Sequence, residues 1–359
     1  MKVLFCDDRI YRDTKEYQQL YMERKAPAQT LYGALQLPEN GIELQIMDYH
    51  HPKPFTSRIK SALYVTPKII RQAKTCDAIF SISFRGLELL MILRRLHLFS
   101  KPIFVWQHAA FQPASETISD RIKTWMLGGI DEFFFFNKEI ADEALKTGKI
   151  KKYSIIPYGA DVDFYASEAK SKQTHKRLVF LSSGVENRDY QTLVAAFSDL
   201  PVELEIYTFP SNANHNYSQV LEGVKASNIS IHIVEKPINP VELRSISVKA
   251  DCIVISTLPL PHKYPCGLTS IVEAMALGKP IIATSNPWYG IDIEKEGIGY
   301  VVNNVAEWKK VIRNIIENPS MLYKMGERAL FLAQDKYNIK NTGKLIAQEI
   351  IHYIQNAKK

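Results

Sequence analysis

Residues 266–284 read Cys-Gly-Leu-Thr-Ser-Ile-Val-Glu-Ala-Met-Ala-Leu-Gly-Lys-Pro-Ile-Ile-Ala-Thr. The pattern predicts a glycine turn at Gly267, a helix over 269–277 and a buried strand over 280–284. A helix N-terminus presents unpaired N–H groups and the positive end of the helix dipole, so a phosphate is held well beside Gly267, Leu268, Thr269 and Ser270. Glu273 follows one turn later, where a carboxylate can accept bonds from two neighbouring ribose hydroxyls. The competing reading is a capped helix, with Thr269 as N-cap and Glu273 favouring the dipole.

The same strand-helix alternation extends both ways from this segment. Before it, RLVFLSS, VELEIYTF, ISIHIVEK and DCIVISTL read as strands, with helices over 189–197 and 240–249; after it come IGYVV and helices over 307–316 and 319–335. The first half repeats the scheme: KVLFCDD, IELQIMDY, CDAIFSIS, KPIFVWQH, DEFFFFN and KYSIIPYG are strand candidates, with helices over 57–75 and 138–147 among the connections. Short apolar runs separated by helices predict parallel sheets covered on both faces. A polar stretch over 167–176 reads as a linker. The expected organisation is therefore two Rossmann-like α/β domains, residues 1–165 and 166–339, with a last helix over 340–359 that returns to the first.

At 359 residues the chain has room for two sizeable cores, and its 46% hydrophobic and 23% charged residues exclude disordered and fibrous classes. The most apolar stretch, 78–93, is broken by Arg85 and Glu88 and is too short to span a bilayer. The apolar run that opens the chain, Val3 to Cys6, is too brief for a signal peptide. Cys6, Cys76, Cys252 and Cys266 lack the spacing of a metal knuckle or redox pair, and reduced thiols are expected. The net charge of +7 is concentrated: residues 51–101 carry ten basic side chains against two acidic ones, and the rest of the chain is close to neutral. An anionic partner is implied.

Residues 267–284 resemble the donor-binding segment of GT-B glycosyltransferases, above all the retaining family four, whose usual form pairs two glutamates eight positions apart before Ala-Met-Ala-x-Gly-x-Pro. Ile156-Pro-Tyr-Gly-Ala-Asp-Val-Asp-Phe164 resembles that family's interdomain segment, 188–197 its first helix of the second domain, and 318–337 its C-terminal helices. The resemblance implies two domains with a cleft between them, a nucleotide-diphosphate sugar as donor, uridine- or guanosine-linked, retention of configuration, and no required metal or other cofactor. It implies Glu273 at the ribose, the amides of 267–270 and Arg188 at the diphosphate beside Gly184, and His108 facing the donor sugar. Two positions depart from the family: the first glutamate is Pro265, and the first of two diphosphate-binding cations is Ser183. Lys263 is a candidate for the second cation.

An arginine in that loop suits the chemistry, because its planar fork binds phosphate in two places while charge grows on the leaving group. The competing reading of Arg188 is a solvated first-turn residue, which the helix dipole slightly disfavours, and that of His108 is a partly exposed loop histidine. Asp161-Val-Asp163 has the form of a metal motif but falls at the interdomain turn, where a structural role is expected. Asp7 and Asp8, which end the first strand, suit an acceptor contact or a helix cap. Residues 57–74, split by Pro67 into two short helices, mix Arg58 and Lys60 with Ile59, Leu63, Ile69 and Ile70; residues 92–101, with Arg94, Arg95 and Phe99, extend them. Together with Arg85 this makes a surface for anionic lipid, the alternatives being a solvated face and a nucleic-acid surface, for which no signature is present. The expectation is a glycosyltransferase acting on a glycan or lipid-linked acceptor in polysaccharide or glycoconjugate synthesis, cytoplasmic and peripheral on the inner face of the membrane. The rival readings are a nucleotide-sugar epimerase or phosphorylase of the same fold, and a non-catalytic membrane or polyanion binder.

Overall fold

The computed structural model describes residues 1–9, 13–51, 53, 56–113, 115, 117–166, 176–212, 215–260 and 262–357. The chain divides into two compact units: residues 1–159, 262–264 and 339–359 form the first, residues 160–261 and 265–338 the second. The division thus falls at Gly159, ahead of the helix Val162–Ala166, which belongs to the second unit. The predicted linker over 167–176 lies, but for Lys176, outside the described residues.

In the first unit, β1 (Lys2–Cys6), β2 (Glu43–Ile46), β3 (Ala78–Ser81), β4 (Ile103–Trp106), β5 (Glu132–Phe135) and β6 (Tyr153–Ile155) form one parallel sheet in the order β2-β1-β3-β4-β5-β6. Strands β3, β4 and β5 are buried at every residue, which is why they read as unbroken apolar runs such as Phe133-Phe134-Phe135. Right-handed crossovers place the helices that link strands running in one direction on one face. These are α2 (Arg58–Gln72), α3 (Glu88–Arg95), α4 (Ile118–Leu127) and α5 (Lys138–Lys146). The opposite side holds α1 (Thr14–Met22), three short 3₁₀ turns between Ala28 and Asn40, and α13 (Ile339–Ala357), which docks on those turns.

The second unit repeats the plan. Here β7 (Val179–Ser183), β8 (Glu203–Thr208), β11 (Ile229–Ile233), β12 (Cys252–Ile255), β13 (Ile281–Thr284) and β14 (Gly299–Val302) form a parallel sheet in the order β11-β8-β7-β12-β13-β14. A two-residue ribbon, β9 (Ser211–Asn212) and β10 (His215–Asn216), precedes α8 (Tyr217–Leu221). The helices α6 (Val162–Ala166), α7 (Tyr190–Phe197), α9 (Pro240–Lys249), α10 (Leu268–Ala276), α11 (Val305–Glu317) and α12 (Ser320–Asp335) complete it. Phe180, Phe197, Ile282, Trp308 and Ile312 are fully buried at the centre of one core.

Two expectations are corrected. Pro67 does not split its helix: α2 runs unbroken from Arg58 to Gln72 with the proline exposed on it. Only the bond from position 67 to the carbonyl of Leu63 is forfeited, and an exposed carbonyl can turn to water. Asp7 and Asp8 do not cap α1 either, because Asp13 accepts the Lys15 and Glu16 amides that open it.

Close approach rather than turn geometry requires glycine at 343. A Cβ added there would lie 2.3 Å from Gln36 Cβ and 3.0 Å from the Gly33 carbonyl oxygen, so α13 sits on the 3₁₀ segment with no room for a methyl group. Gly343→Ala is expected to cost about 1–3 kcal/mol by overpacking, read as a lowered Tm; an unchanged Tm would show that α13 docks less closely than described.

Candidate functional site

Open α/β sheets bind ligands at the carboxyl ends of strands where the strand order reverses. In the second unit that point lies between β7 and β12, and the segments leaving these strands carry Arg188 and the Gly267 turn. Arg188 stands before Asp189, the N-cap of α7, and is only 5% exposed, so the solvated first-turn reading is wrong. Its backbone is clamped: the Arg188 amide donates to the Tyr217 hydroxyl at 3.0 Å, which donates to the Val185 carbonyl at 2.8 Å. The Asp189 amide donates to Ser256 O at 3.0 Å, and the Leu258 amide to Asn187 O at 3.0 Å.

The guanidinium meets neutral acceptors. Nη2 donates to Ser270 Oγ at 3.2 Å and to the Ser183 carbonyl at 3.4 Å, and Nη1 to the Glu186 carbonyl at 3.3 Å and to Cys266 Sγ at 3.9 Å; Nε has no partner. No carboxylate among the described residues pairs with it. Gly184 lies against this group, and a Cβ there would come within 2.6 Å of Nη2. A buried cation without a counter-ion is costly, so the arrangement is one an anion completes.

Ser270 belongs to α10, whose first residue is Leu268, one earlier than the sequence suggested. Thr269 is not the cap: Gly267 occupies that position at φ +96°, with no side-chain cap bond. Any Cβ at 267 would be 2.9 Å from Ile255 Cγ2, so glycine alone lets the chain leave β12 and enter the helix here. The first-turn amides of α10 are therefore not satisfied by a capping side chain, and the arginine beside them adds full charge to the helix dipole. Glu273, half-buried, lies in the second turn of α10. Tyr217, Cys266 and Tyr289 shape this site without any sequence signal: the Tyr289 hydroxyl bonds the Thr284 carbonyl at 3.3 Å and would lie 3.6 Å from a Cβ on Gly267.

In the first unit the order reverses between β1 and β3. Here Asp8, just after β1, accepts a 2.8 Å bond from Ser83, just after β3. Burial pushes the Asp8 carboxyl up, with Asp7 adding to the shift and the Ser83 bond, Arg9 and Arg85 opposing it. Asp7 holds Arg9 through two bonds of 2.7 and 2.8 Å, and Arg85 is exposed. His108, after β4, stacks on Tyr32 with ring centroids 5.0 Å apart and leans on Phe136 at 5.4 Å. Burial first and then the Arg9 charge lower its pKa to about 4, against a bond to the Ile82 backbone. Its Nε2 is buried and meets no hydrogen-bond partner.

The remaining candidates separate. Lys263 lies with the first unit, ion-paired to Glu143, whereas Arg188 belongs to the second. Asp161 Oδ1 accepts the Phe164 amide at 3.1 Å, a local cap of α6. Arg94 is not a free surface cation: Nε and Nη2 reach Asp131 at 3.1 and 2.8 Å, tying α3 to the loop before β5. Ile69 and Phe99 are buried in the first core, whereas Arg58, Lys60 and Arg95 are exposed.

No protein-family profile and no curated protein matches the chain. Solved structures do. Anabaena HepE in complex with UDP is 13% identical over 98% of this chain and 100% of its own, with a TM-score of 0.71. Sucrose-phosphate synthase from Thermosynechococcus elongatus is 16% identical over 99% of both chains, with a TM-score of 0.72. The UDP-GlcNAc 2-epimerase of Neisseria meningitidis bound to UDP-GlcNAc is 14% identical over 98% of this chain and 100% of its own, with a TM-score of 0.60. At these identities the likeness carries the architecture: the chain has the GT-B fold, built from two Rossmann-like domains.

Proposed function

We propose that the protein is a glycosyltransferase of the retaining family-four type, moving a sugar from a nucleotide-diphosphate donor to a glycan or lipid-linked acceptor in polysaccharide or glycoconjugate synthesis. The observation that carries this reading is the buried guanidinium of Arg188 without a carboxylate partner, beside a helix N-terminus that no side chain caps. A diphosphate supplies the missing anion, and Glu273 is the carboxylate for the ribose hydroxyls. Structures of the same fold hold UDP and, in Anabaena HepE, UDP-glucose, which supports a nucleotide sugar as ligand.

The chemistry follows from where charge develops. As the glycosidic bond breaks, negative charge grows on the departing diphosphate, and fixed donors aimed at it lower the barrier most. Arg188 is held in place before the reaction, so little reorganisation is spent. On the retaining path the leaving phosphate takes the acceptor proton, and no protein base or metal ion is needed. His108 is neutral at pH 7 and offers Nε2 to a sugar hydroxyl, a positioning role. The first unit, through Asp8 and Arg85, is the acceptor side, and its basic segment is a docking surface for a cytoplasmic, peripherally bound enzyme at an anionic membrane.

Three outcomes test this. Arg188→Met should leave Tm unchanged or raised, because it replaces an uncompensated buried charge. It should also lower transfer about 10²–10³-fold and abolish the Tm rise given by UDP; a large loss of Tm would mark Arg188 as structural. Glu273→Ala should raise the donor KM on the order of ten- to a hundredfold and leave the acceptor KM unchanged. Donor interconversion without an acceptor would favour the epimerase reading, and absence of any nucleotide-sugar binding the non-catalytic one.

His108 sets a pH signature. The unfolded chain takes up this proton near pH 6.5 and the folded chain only near 4. Its contribution to stability is therefore fully present above pH 6.5 and is lost as pH falls through that window. A histidine ring resonance that titrates near 4, absent in His108→Gln, is the expected NMR result; titration near 6.5 would show that the ring is not held out of water as described and would remove this pH signature.

A further inference from the structure

The helix α4 is placed as a surface helix yet turns its apolar side chains outward. Of its ten residues only Leu127 is buried. Ile118, Ile122 and Trp125, spaced i, i+4, i+7 on one stripe, are 77%, 56% and 40% exposed. Such a helix gains little from packing on its own domain, and short helices draw most of their stability from packing. Its neighbours on the same face of the sheet share the property. Ile59 and Leu63, one turn apart on α2, and Leu96 and Leu98, just past α3, are all more than half exposed. Seven of the twelve large apolar side chains exposed among the described residues thus lie on this one face.

On α2, α3 and α4 the exposed charges of this face are all basic. Arg58, Lys60, Arg95, Arg121 and Lys123 are exposed. The acids of the same helices are already engaged: Asp120 is paired to Lys149 at 2.7 Å, and Glu88, largely buried, lies 3.9 Å from Arg58. Arg95 bridges two of the helices, since its Nε is 3.5 Å from where a Cβ on Gly128 would stand, directly after α4. An outward apolar stripe flanked by exposed cations, of which Lys60, Arg121 and Lys123 are in no ion pair among the described residues, complements an anionic bilayer, whose interface takes apolar groups below a layer of phosphates.

We infer that α4 is the element that enters the membrane, with Ile118, Ile122 and Trp125 below the headgroups and Arg121 and Lys123 at the phosphates, while α2 and the end of α3 steady the face. This rests on the proposed membrane-borne acceptor and replaces a purely electrostatic docking by the basic segment with insertion of a helix outside it.

The test uses the full chain with vesicles of phosphatidylcholine alone or mixed with phosphatidylglycerol. Wild type is expected to sediment with the mixed vesicles only, with a blue shift of tryptophan emission that Trp125→Phe removes. The pair Ile118→Ser and Ile122→Ser is expected to weaken vesicle binding at least tenfold and abolish the shift, while the Tm rise given by UDP stays as in wild type. Binding without an emission shift, unchanged binding of the pair, or no binding by wild type would overturn insertion. So would self-association without vesicles that the same pair disrupts, which would assign the face to a second copy of the chain. Loss of the UDP response with vesicle binding intact would count against the donor site and leave this inference standing.

Discussion

A single uncompensated charge organises the second domain. Arg188 is buried among carbonyls, a hydroxyl and a thiol, none of which neutralises it. Around it the structure makes two local choices that serve it: glycine at 184, where any side chain would collide with the guanidinium, and a tyrosine from a separate short helix holding the arginine backbone. The fold supplies the reversal of strand order that opens a ligand position at the ends of β7 and β12. The sequence then spends stability there, holding a cation ready for a charge that the chain does not contain. Strain and unpaired charge of this kind collect where proteins bind ligands.

The first domain solves the same topological problem with opposite chemistry. At its reversal point stand an acidic pair after β1, one carboxylate bound by Arg9 and the other by Ser83, and a neutral, stacked histidine after β4. A site that offers a carboxylate, a hydroxyl and an uncharged imidazole nitrogen suits sugar hydroxyls better than phosphate. The two reversal points differ in charge, although their sheets are built alike.

All twelve strands of the two large sheets were legible: β3, β4, β5 and β12, buried at every residue, are the short apolar runs that burial on both faces demands, and β11, less buried, still alternates Ile229, Ile231 and Ile233 with polar residues. The turn, helix and strand over 267–284 were legible too, since a glycine, a helical run and an apolar strand at that spacing leave little freedom. What escaped depends on partners distant in sequence. Arg94 reads as surface charge until Asp131 is seen beside it, and the burial of Arg188 is not visible until Tyr217 and Cys266 enclose it. The segment over 28–40 lacks helical periodicity because its 3₁₀ turns are ordered by α13 rather than by themselves. The α4 sequence has the spacing of a buried helix and the exposure of a surface one, a conflict that only the fold reveals.

The last helix gives the chain an unusual order of assembly. Tyr353 of α13 packs edge-on against Phe104 at 5.3 Å and reaches Asp131, the carboxylate that also holds Arg94 and the Ile103 amide. Three parts of the first domain therefore meet at a residue whose final partner is made after the whole second domain. During synthesis the second domain has all its strands and helices while the face of the first around Phe104 is still uncovered. The domain begun first is the one whose last element leaves the ribosome after the whole of the other.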